Sequence, residues 1–149
     1  MITFVQGDLL TADVDALVNP VNCVGVMGKG LAKQFKNCFP DYFRDYKRAC
    51  DKGELTFRTL HFYQRDGQWL ISVPTKNHWQ DKTDPNELWY TIYELGYQIR
   101  QRNIRSVAIP ALGCGEGGLQ WEYVKSWMVS IFGWRDFQFY DIRIYEPWT

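Results

Sequence analysis

Two glycine-rich segments are the first places in this sequence where backbone chemistry is expected. The segment CVGVMGKG (residues 23–30, loop 1) and the segment ALGCGEGGL (residues 111–119, loop 2) each follow a strand-like run and precede a helix-like one. A loop in this position exposes backbone N–H groups beside a helix N-terminus, where phosphates bind. One such loop alone fits a tight turn equally well. Two of them in the same position predict that a diphosphate is held between them.

Two other nucleotide-binding motifs fit these glycines less well. Loop 2 matches G-x-G-x-x-G, the pattern of Rossmann dinucleotide sites, through Gly113, Gly115 and Gly118. That pattern normally opens the first βαβ unit, and only residues 119–149 follow it here, too few for the rest of a doubly wound fold. A P-loop is excluded because no Gly-Lys pair is followed by Ser or Thr.

Lys76 is the side chain expected to carry the chemistry. It follows the apolar run WLISV (residues 69–73) and precedes His78 and Trp79, a setting that partly desolvates an amine. A neutral lysine attacks an electrophilic sugar carbon, whereas a charged one stabilises negative charge on a leaving group or phosphate. The sequence leaves both roles open. His78 is a second candidate, as a proton relay or as a structural residue of the turn, and Trp79 is a candidate for stacking on a base or for packing.

Composition limits the classes of function. The 149 residues are 46% hydrophobic and 23% charged, which predicts one folded domain. The net charge of zero argues against the electrostatic grip of non-specific duplex binders, and the basic stretch 29–58 is interpreted as a solvated helix face rather than a phosphate track. Four cysteines without metal or C-x-x-C spacing predict no metal and no disulfide. The lack of a signal peptide or an 18-residue apolar run predicts a cytoplasmic protein with no membrane partner.

Alternating strand-like and helix-like segments must position these residues. The hairpin signal Asp66-Gly67 joins two strands, and Asp84-Pro85 marks a helix start. We predict strands at 2–5, 15–21, 57–63, 69–73, 106–110 and 139–145, and helices from 28 or 30 to 38, at 40–50, 85–102 and 121–132. This order predicts an α/β fold with a mixed sheet and helices on both faces.

Four motifs together resemble the macrodomain family over essentially the whole chain and in the right order: VQGDLL, NPVNCVGVMGKGLAKQF, PTKNHW and IPALGCGEGGLQW. The resemblance implies one macrodomain over residues 1–149, with three α/β/α layers around a mixed, mostly parallel sheet. Within the family the chain is similar to the branch that contains the terminal ADP-ribose protein glycohydrolase and the DarG antitoxins. The segments NCVGVMGKG and TKNHW are closer to DarG.

The implied activity is that of a DNA ADP-ribosyl glycohydrolase. It would remove ADP-ribose from modified thymidine in single-stranded DNA and so reverse a DarT-type toxin. The partners implied are this DNA and ADP-ribose itself, with no cofactor and a monomeric state. The alternatives are a binding module that does not cleave ADP-ribose, and a hydrolase of proteins or small molecules, such as an O-acetyl-ADP-ribose deacetylase or an ADP-ribose 1″-phosphatase.

The resemblance also implies roles for single residues. Asp8 would accept a hydrogen bond from the adenine amino group, Asn22 would hold the distal ribose, Asn19 would tie the loop together or line the ligand, and Lys76 would be catalytic. The other residues expected at the ligand are Leu9, Val26, Gly28, Lys29, Gly30, Thr75, Trp79, Leu112, Gly113, Cys114, Gly115, Glu116, Gly117 and Gly118.

Residue 117 departs from the pattern of the protein-directed branch. That branch has an aspartate here as the acid–base partner of the lysine, whereas this chain has Gly117. Glu116 lies next to it and is the candidate substitute. Glycines at this point resemble the DarG branch, which favours a DNA base over a protein carboxylate ester as the substrate.

Overall fold

The computed structural model describes residues 1–147 as six strands and four α-helices, with two short 3₁₀ helices at Leu9–Thr11 and Arg135–Phe137. The strands are β1 (Ile2–Val5), β2 (Ala16–Asn22), β3 (His61–Arg65), β4 (Gln68–Lys76), β5 (Ser106–Ile109) and β6 (Asp141–Tyr145). The helices are α1 (Gly30–Cys38), α2 (Pro40–Asp51), α3 (Pro85–Gln101) and α4 (Trp121–Phe132).

The six strands form one mixed sheet in the order β1-β6-β5-β2-β4-β3. Every neighbouring pair is parallel except β3 and β4, which form the antiparallel hairpin at one edge. The hairpin turns at Asp66 and Gly67, which both have positive φ as the Asp-Gly signal predicts. The predicted fold class is therefore confirmed.

Helices cover both faces of the sheet, which gives the three layers. Alternate residues of β2 point to opposite faces: Ala16 and Val18 join the apolar core under α3 and α4, whereas Leu17 and Val21 join the core under α1 and α2. The start of α3 follows the predicted capping, because the Asp84 side chain accepts hydrogen bonds from the backbone N–H groups of residues 86 and 87.

Three strands have a boundary that differs from the sequence prediction by two residues or more. Residues 57–60 are not part of β3, because Thr56 and Thr59 close a tight turn through reciprocal backbone hydrogen bonds. Strand β4 continues past residue 73 to Lys76, because β2 pairs with it along its whole length. Strand β6 begins at residue 141 rather than 139, since residues 139–140 belong to the turn that follows the second 3₁₀ helix.

The surface chemistry of the described residues is simple. Among residues 1–147, no helix has the length and hydropathy needed to cross a membrane, and no group of three metal-ligating side chains is present. Four of the eight basic residues in the stretch 29–58 form ion pairs, three of them on α2, which fits its interpretation as a solvated helix face. The pairs are Arg44–Asp41, Lys47–Asp51, Arg48–Asp45, Arg48–Glu54 and Arg58–Glu87.

Candidate functional site

The two glycine-rich loops and Lys76 meet at the carboxyl ends of three neighbouring strands. Loop 1 follows β2, loop 2 follows β5, and the turn 77–83 follows β4, while β2 lies between β5 and β4 in the sheet. The chain leaves β4 through α3 and re-enters the sheet on the other side of β2. Such a switch in direction opens the crevice in which α/β sheets bind ligands.

Lys76 and Asn22 lie side by side at this edge, because the parallel register pairs them directly after a bulge at residues 21–22. Lys76 is half-buried, and its Nζ donates a hydrogen bond to the carbonyl oxygen of Trp79 at 3.0 Å. The N–H of Cys23 donates to the carbonyl of Asn77 at 2.9 Å, which continues the pairing into the loops. The candidate catalytic amine therefore stands on a rigid strand end, next to the start of loop 1.

The side chain of Asn22 organises loop 1. Its Oδ1 accepts hydrogen bonds from the N–H groups of Val24 (3.1 Å) and Val26 (3.3 Å), and its Nδ2 donates to the carbonyl of Val26 at 2.8 Å. The hydroxyl of Tyr46 adds a third donor to Oδ1. Protein donors already occupy this oxygen, and one N–H of Nδ2 is donated to Val26. The second N–H of Nδ2 is therefore the group that Asn22 has left for a ligand. The proposed contact with a ribose remains a prediction.

The exposed part of loop 1 matches an anion-binding segment. Gly28, Lys29 and Gly30 are solvent-exposed, and Gly30 begins α1 with a φ of +58°. A β-carbon on Gly30 would meet nothing within 4 Å, so the space beside this helix N-terminus is open. Val26, another predicted ligand residue, is 40% exposed on the same loop.

Two predicted ligand residues have no exposed surface in this structure, and their contact with a ligand remains a prediction. Asn19 is fully buried and donates from Nδ2 to the hydroxyl of Tyr42 at 3.1 Å, so it links β2 to α2. Leu112 is also fully buried, in the core under α3 and α4. Leu9 and Thr75 keep 3% and 6% of their surface exposed, and their contact with a ligand remains a prediction.

Loop 2 contains glycines of two kinds. Gly113 and Gly117 are buried, and a β-carbon on either would be within 2.7 Å of another atom: Leu88 Cδ2 at Gly113, and the carbonyl oxygen of Gly113 at Gly117. These two glycines are therefore required by packing within the protein. Gly115 is exposed, with open space beside its α-carbon, and fits close approach by a ligand. Gly118 is also exposed and lies under the Lys82 side chain.

The segment before α3 fastens loop 2. The N–H of Thr83 donates to the carbonyl of Gly117 at 3.1 Å, and Nζ of Lys82 lies 3.4 Å from the carbonyl of Glu116. Thr83 is 5% exposed, and its Oγ1 has no hydrogen-bond partner among the described residues. The Glu116 side chain is exposed and remains a candidate acid–base group.

His78 and Trp79 form the turn beyond Lys76. The N–H of His78 donates to Asp81 Oδ2 at 3.0 Å, and its Nδ1 accepts from the N–H of Gln80 at 3.1 Å. These bonds fit a structural role for His78 in the turn, and its role as a proton relay remains a prediction. Trp79 is 47% exposed, and its ring centroid lies 5.2 Å from that of His78. An exposed indole on the turn that holds the candidate nucleophile is available for stacking.

Two further predicted residues have defined surroundings. Asp8 is exposed and caps the first 3₁₀ helix, because its Oδ1 accepts from the N–H of Leu10 at 3.0 Å. Its contact with adenine remains a prediction. Cys114 in loop 2 is half-buried, and its Sγ lies 3.4 Å from the carbonyl of Leu112. Burial, reinforced by the charge of Glu122, raises the pKa of the Cys114 thiol to about 11, so this group is not a nucleophile near neutral pH.

Sequence reasoning missed the residues that hold the two loops in place. Tyr46 and Thr83 carry no local signal, because each acts on a loop more than 20 positions away in the chain. It also missed a buried polar chain from Asn19 through Tyr42, Ser72 and His61 to Asp45.

Comparison with known proteins places this arrangement in a family. The Macro domain model matches residues 18–128. The chain belongs to the Macro domain family. Among curated macrodomain relatives, the DNA ADP-ribosyl glycohydrolase of Mycobacterium tuberculosis is 47% identical over 99% of this chain and 42% of its own length. The chain spans about two fifths of the length of the curated DNA ADP-ribosyl glycohydrolases of Mycobacterium tuberculosis and Thermus aquaticus.

Solved macrodomain structures agree with this assignment. The macrodomain of Mycobacterium tuberculosis DarG superposes with a TM-score of 0.93 at 45% identity, over 99% of both chains. Thermosipho africanus DarTG in complex with ADP-ribose superposes with a TM-score of 0.90 at 33% identity, over 98% of this chain and 41% of the other. The resemblance seen in the four sequence motifs is thus confirmed.

Proposed function

We propose that this macrodomain is an ADP-ribosyl glycohydrolase that removes ADP-ribose from modified thymidine bases in single-stranded DNA, and so reverses a DarT-type toxin. The observation that carries the proposal is the placement of Lys76. Its amine is held at the end of β4, beside Asn22 and at the same sheet edge as the two loops that expose glycine backbone. The similarity to proteins named DNA ADP-ribosyl glycohydrolase supports the choice of reaction.

In this reaction the N-glycosyl bond between the anomeric carbon of ADP-ribose and the base breaks. Water supplies the hydroxyl that ends on the sugar and the proton that returns to the base. Loops 1 and 2 hold the diphosphate through backbone N–H groups, and the reaction needs no metal or cofactor. Lys76 either attacks the sugar carbon or stabilises the charge that develops on the departing base.

The surroundings of residue 117 support a DNA base over a protein ester. Thr83 and the Gly113 carbonyl fill the space in which a side chain at position 117 would begin, so the aspartate of the protein-directed branch has no room here. The zero net charge fits recognition through the ADP-ribose group and a few flanking nucleotides of one strand. The protein would act as a monomer in the cytoplasm.

The deciding experiment measures release of ADP-ribose from a thymidine-modified single-stranded oligonucleotide and from an aspartate-linked ADP-ribosyl peptide. The wild type is expected to act on the oligonucleotide, and Lys76→Ala to lower kcat by about 10²- to 10⁴-fold. Two further tests separate the two roles of Lys76. Lys76→Arg keeps the positive charge without the amine. Borohydride reduction of the wild-type reaction gives a trapped adduct only if the amine attacks the sugar. Cleavage of the peptide alone would contradict the proposed substrate.

A binding module is the second candidate, because the same loops hold ADP-ribose whether or not it is cleaved. In that case neither substrate is cleaved by the wild type or by Lys76→Ala, and free ADP-ribose still binds.

A further inference from the structure

Helix α2 contacts loop 1 through one buried phenol. Tyr46 is fully buried, and its hydroxyl donates to both oxygens of Asn22, the backbone carbonyl at 2.8 Å and the side-chain Oδ1 at 2.9 Å. Strand β2 ends at Asn22 and loop 1 begins there, so this contact lies at the point where the chain leaves the sheet. A hydrogen bond at this place fixes the direction in which the loop departs.

The Asn22 side chain passes this constraint on to the loop. Its Oδ1 accepts from the N–H groups of Val24 and Val26, and its Nδ2 donates to the Val26 carbonyl. The amide plane can satisfy all these partners in one orientation only, because its oxygen and nitrogen are not interchangeable here. The backbone N–H groups of Val24 and Val26 can only donate, so they select this orientation, and the Tyr46 hydroxyl reinforces it by donating to the same oxygen.

The same helix approaches the loop at Gly25. This glycine is buried with a φ of +89°, and a β-carbon on it would lie 3.4 Å from Cγ of Lys47. Loop 1 is thus shaped against α2 over residues 22–25, whereas residues 28–30 face solvent.

We propose that Tyr46 is a positioning residue that holds Asn22, and through it loop 1, in the conformation that receives the diphosphate and ribose of ADP-ribose. This inference rests on the proposed function for the identity of the ligand. The part that concerns the conformation of loop 1 does not depend on that function. Tyr46 touches no reacting atom in this scheme, and it acts through its hydrogen bonds to Asn22.

Tyr42 provides a matched control on the same helix. It lies one turn before Tyr46, is equally buried, and also uses its hydroxyl in buried hydrogen bonds, to Ser72 and Asn19. These bonds lead away from Asn22, and they reach loop 1 only through a contact of 3.7 Å between Asn19 Nδ2 and Met27 Sδ. Tyr42→Phe and Tyr46→Phe therefore remove the same group from similar surroundings, with different consequences for the loop.

The first test needs no ligand. Amide hydrogen exchange of Val24 and Val26, normalised to the amides of β2, is expected to rise about tenfold in Tyr46→Phe and to stay within about twofold of wild type in Tyr42→Phe. Equal exchange in the two variants would overturn the positioning role, even if both lower the unfolding temperature.

The second test measures ADP-ribose affinity by calorimetry. Tyr46→Phe is expected to weaken binding about tenfold and Tyr42→Phe less than twofold. In an Asn22→Ala background the effect of Tyr46→Phe should shrink, because Tyr46 then keeps only its bond to the backbone carbonyl of residue 22. If the wild type binds no ADP-ribose, the proposed function fails while the exchange result stands. If it binds ADP-ribose and Tyr46→Phe binds it equally well, the positioning role fails alone.

Discussion

The side-chain oxygen of Thr83 occupies the space that a β-carbon on residue 117 would need. That β-carbon would also lie 2.6 Å from the carbonyl oxygen of Gly113, and real β-carbons do not approach other atoms so closely. Thr83 in turn donates its N–H to the carbonyl of Gly117. Glycine at 117 is therefore a packing requirement of the loop, which explains physically why this site lacks the aspartate of the protein-directed branch.

Gly117→Ala is expected to destabilise the protein by about 1–3 kcal/mol, the usual cost of forcing extra volume into a packed site. Loop 2 must shift to accept the methyl group, so ADP-ribose affinity should also fall. Thermal unfolding and calorimetric titration measure the two effects. Gly115→Ala is the control for stability, because a β-carbon there meets nothing within 4 Å. An unchanged unfolding temperature in Gly117→Ala would show that the loop is not packed as described.

The sequence predicted the parts of the fold and of the site that depend on local signals. The Asp84 cap, the Asp66-Gly67 turn and the two glycine-rich loops were found because each is written in a few consecutive residues. The lysine of the site was found through its motif, and strand pairing then placed it beside Asn22.

The remaining parts depend on packing between distant segments. Asn19 and Asn22 have the same side chain, but Asn19 points into the core under α2, whereas a bulge at residues 21–22 turns Asn22 toward loop 1. No local pattern distinguishes them. The contacts of Tyr46 with Asn22 and of Thr83 with Gly117 exist only after α2 and α3 have packed on the sheet.

The thiol of Cys114 is expected to react slowly, although it lies in loop 2. Its pKa is raised to about 11 by burial and by Glu122, so the thiolate fraction at pH 7.5 is well below that of an ordinary cysteine. Iodoacetamide labelling followed by peptide mass spectrometry should modify the exposed Cys38 first. Labelling of Cys114 as fast as Cys38 would indicate that loop 2 opens in solution.

Trp79 is expected to distinguish the DNA substrate from free ADP-ribose. Its ring is exposed, its backbone carbonyl holds Lys76, and it fits stacking on a flanking base, which contributes about 1–3 kcal/mol. Trp79→Ala should therefore weaken binding of a modified oligonucleotide about tenfold or more, while the affinity for ADP-ribose stays within about twofold. The carbonyl that holds Lys76 belongs to the backbone and remains in the variant.

The control for Trp79 is Trp134→Ala, which removes another indole that is 62% exposed, just beyond α4. It should leave both affinities unchanged. Equal losses for oligonucleotide and ADP-ribose in Trp79→Ala would assign this ring to the ADP-ribose group instead of the DNA.

His61 makes the stability of the fold depend on pH. Its Nε2 lies 2.7 Å from Asp45 Oδ2 and its Nδ1 lies 2.9 Å from Ser72 Oγ, and the ring is almost fully buried. Burial lowers the pKa of His61, and the hydrogen bond to Asp45 offsets this only in part. A neutral ring that donates to Asp45 and accepts from Ser72 completes a chain in which Tyr42 donates to Ser72 and Asn19 donates to Tyr42.

The sign of the effect follows from proton binding. Below the ordinary histidine pKa of about 6.5 the unfolded chain takes up a proton that folded His61 resists, so the unfolding free energy falls as the pH drops from 7 to 5. Asp45 acts at lower pH: burial raises its pKa, but hydrogen bonds from His61 and Arg48 outweigh this and lower it, so its contribution is lost only on further acidification.

Urea denaturation at pH 7 and pH 5 tests the role of His61. The loss of stability between these values should be larger for the wild type than for His61→Gln, which carries no group that titrates in this range. The chain has two histidines, so His78→Gln is the matched control and should keep the wild-type loss. If His61→Gln loses as much stability as the wild type between pH 7 and pH 5, the buried chain is insensitive to pH.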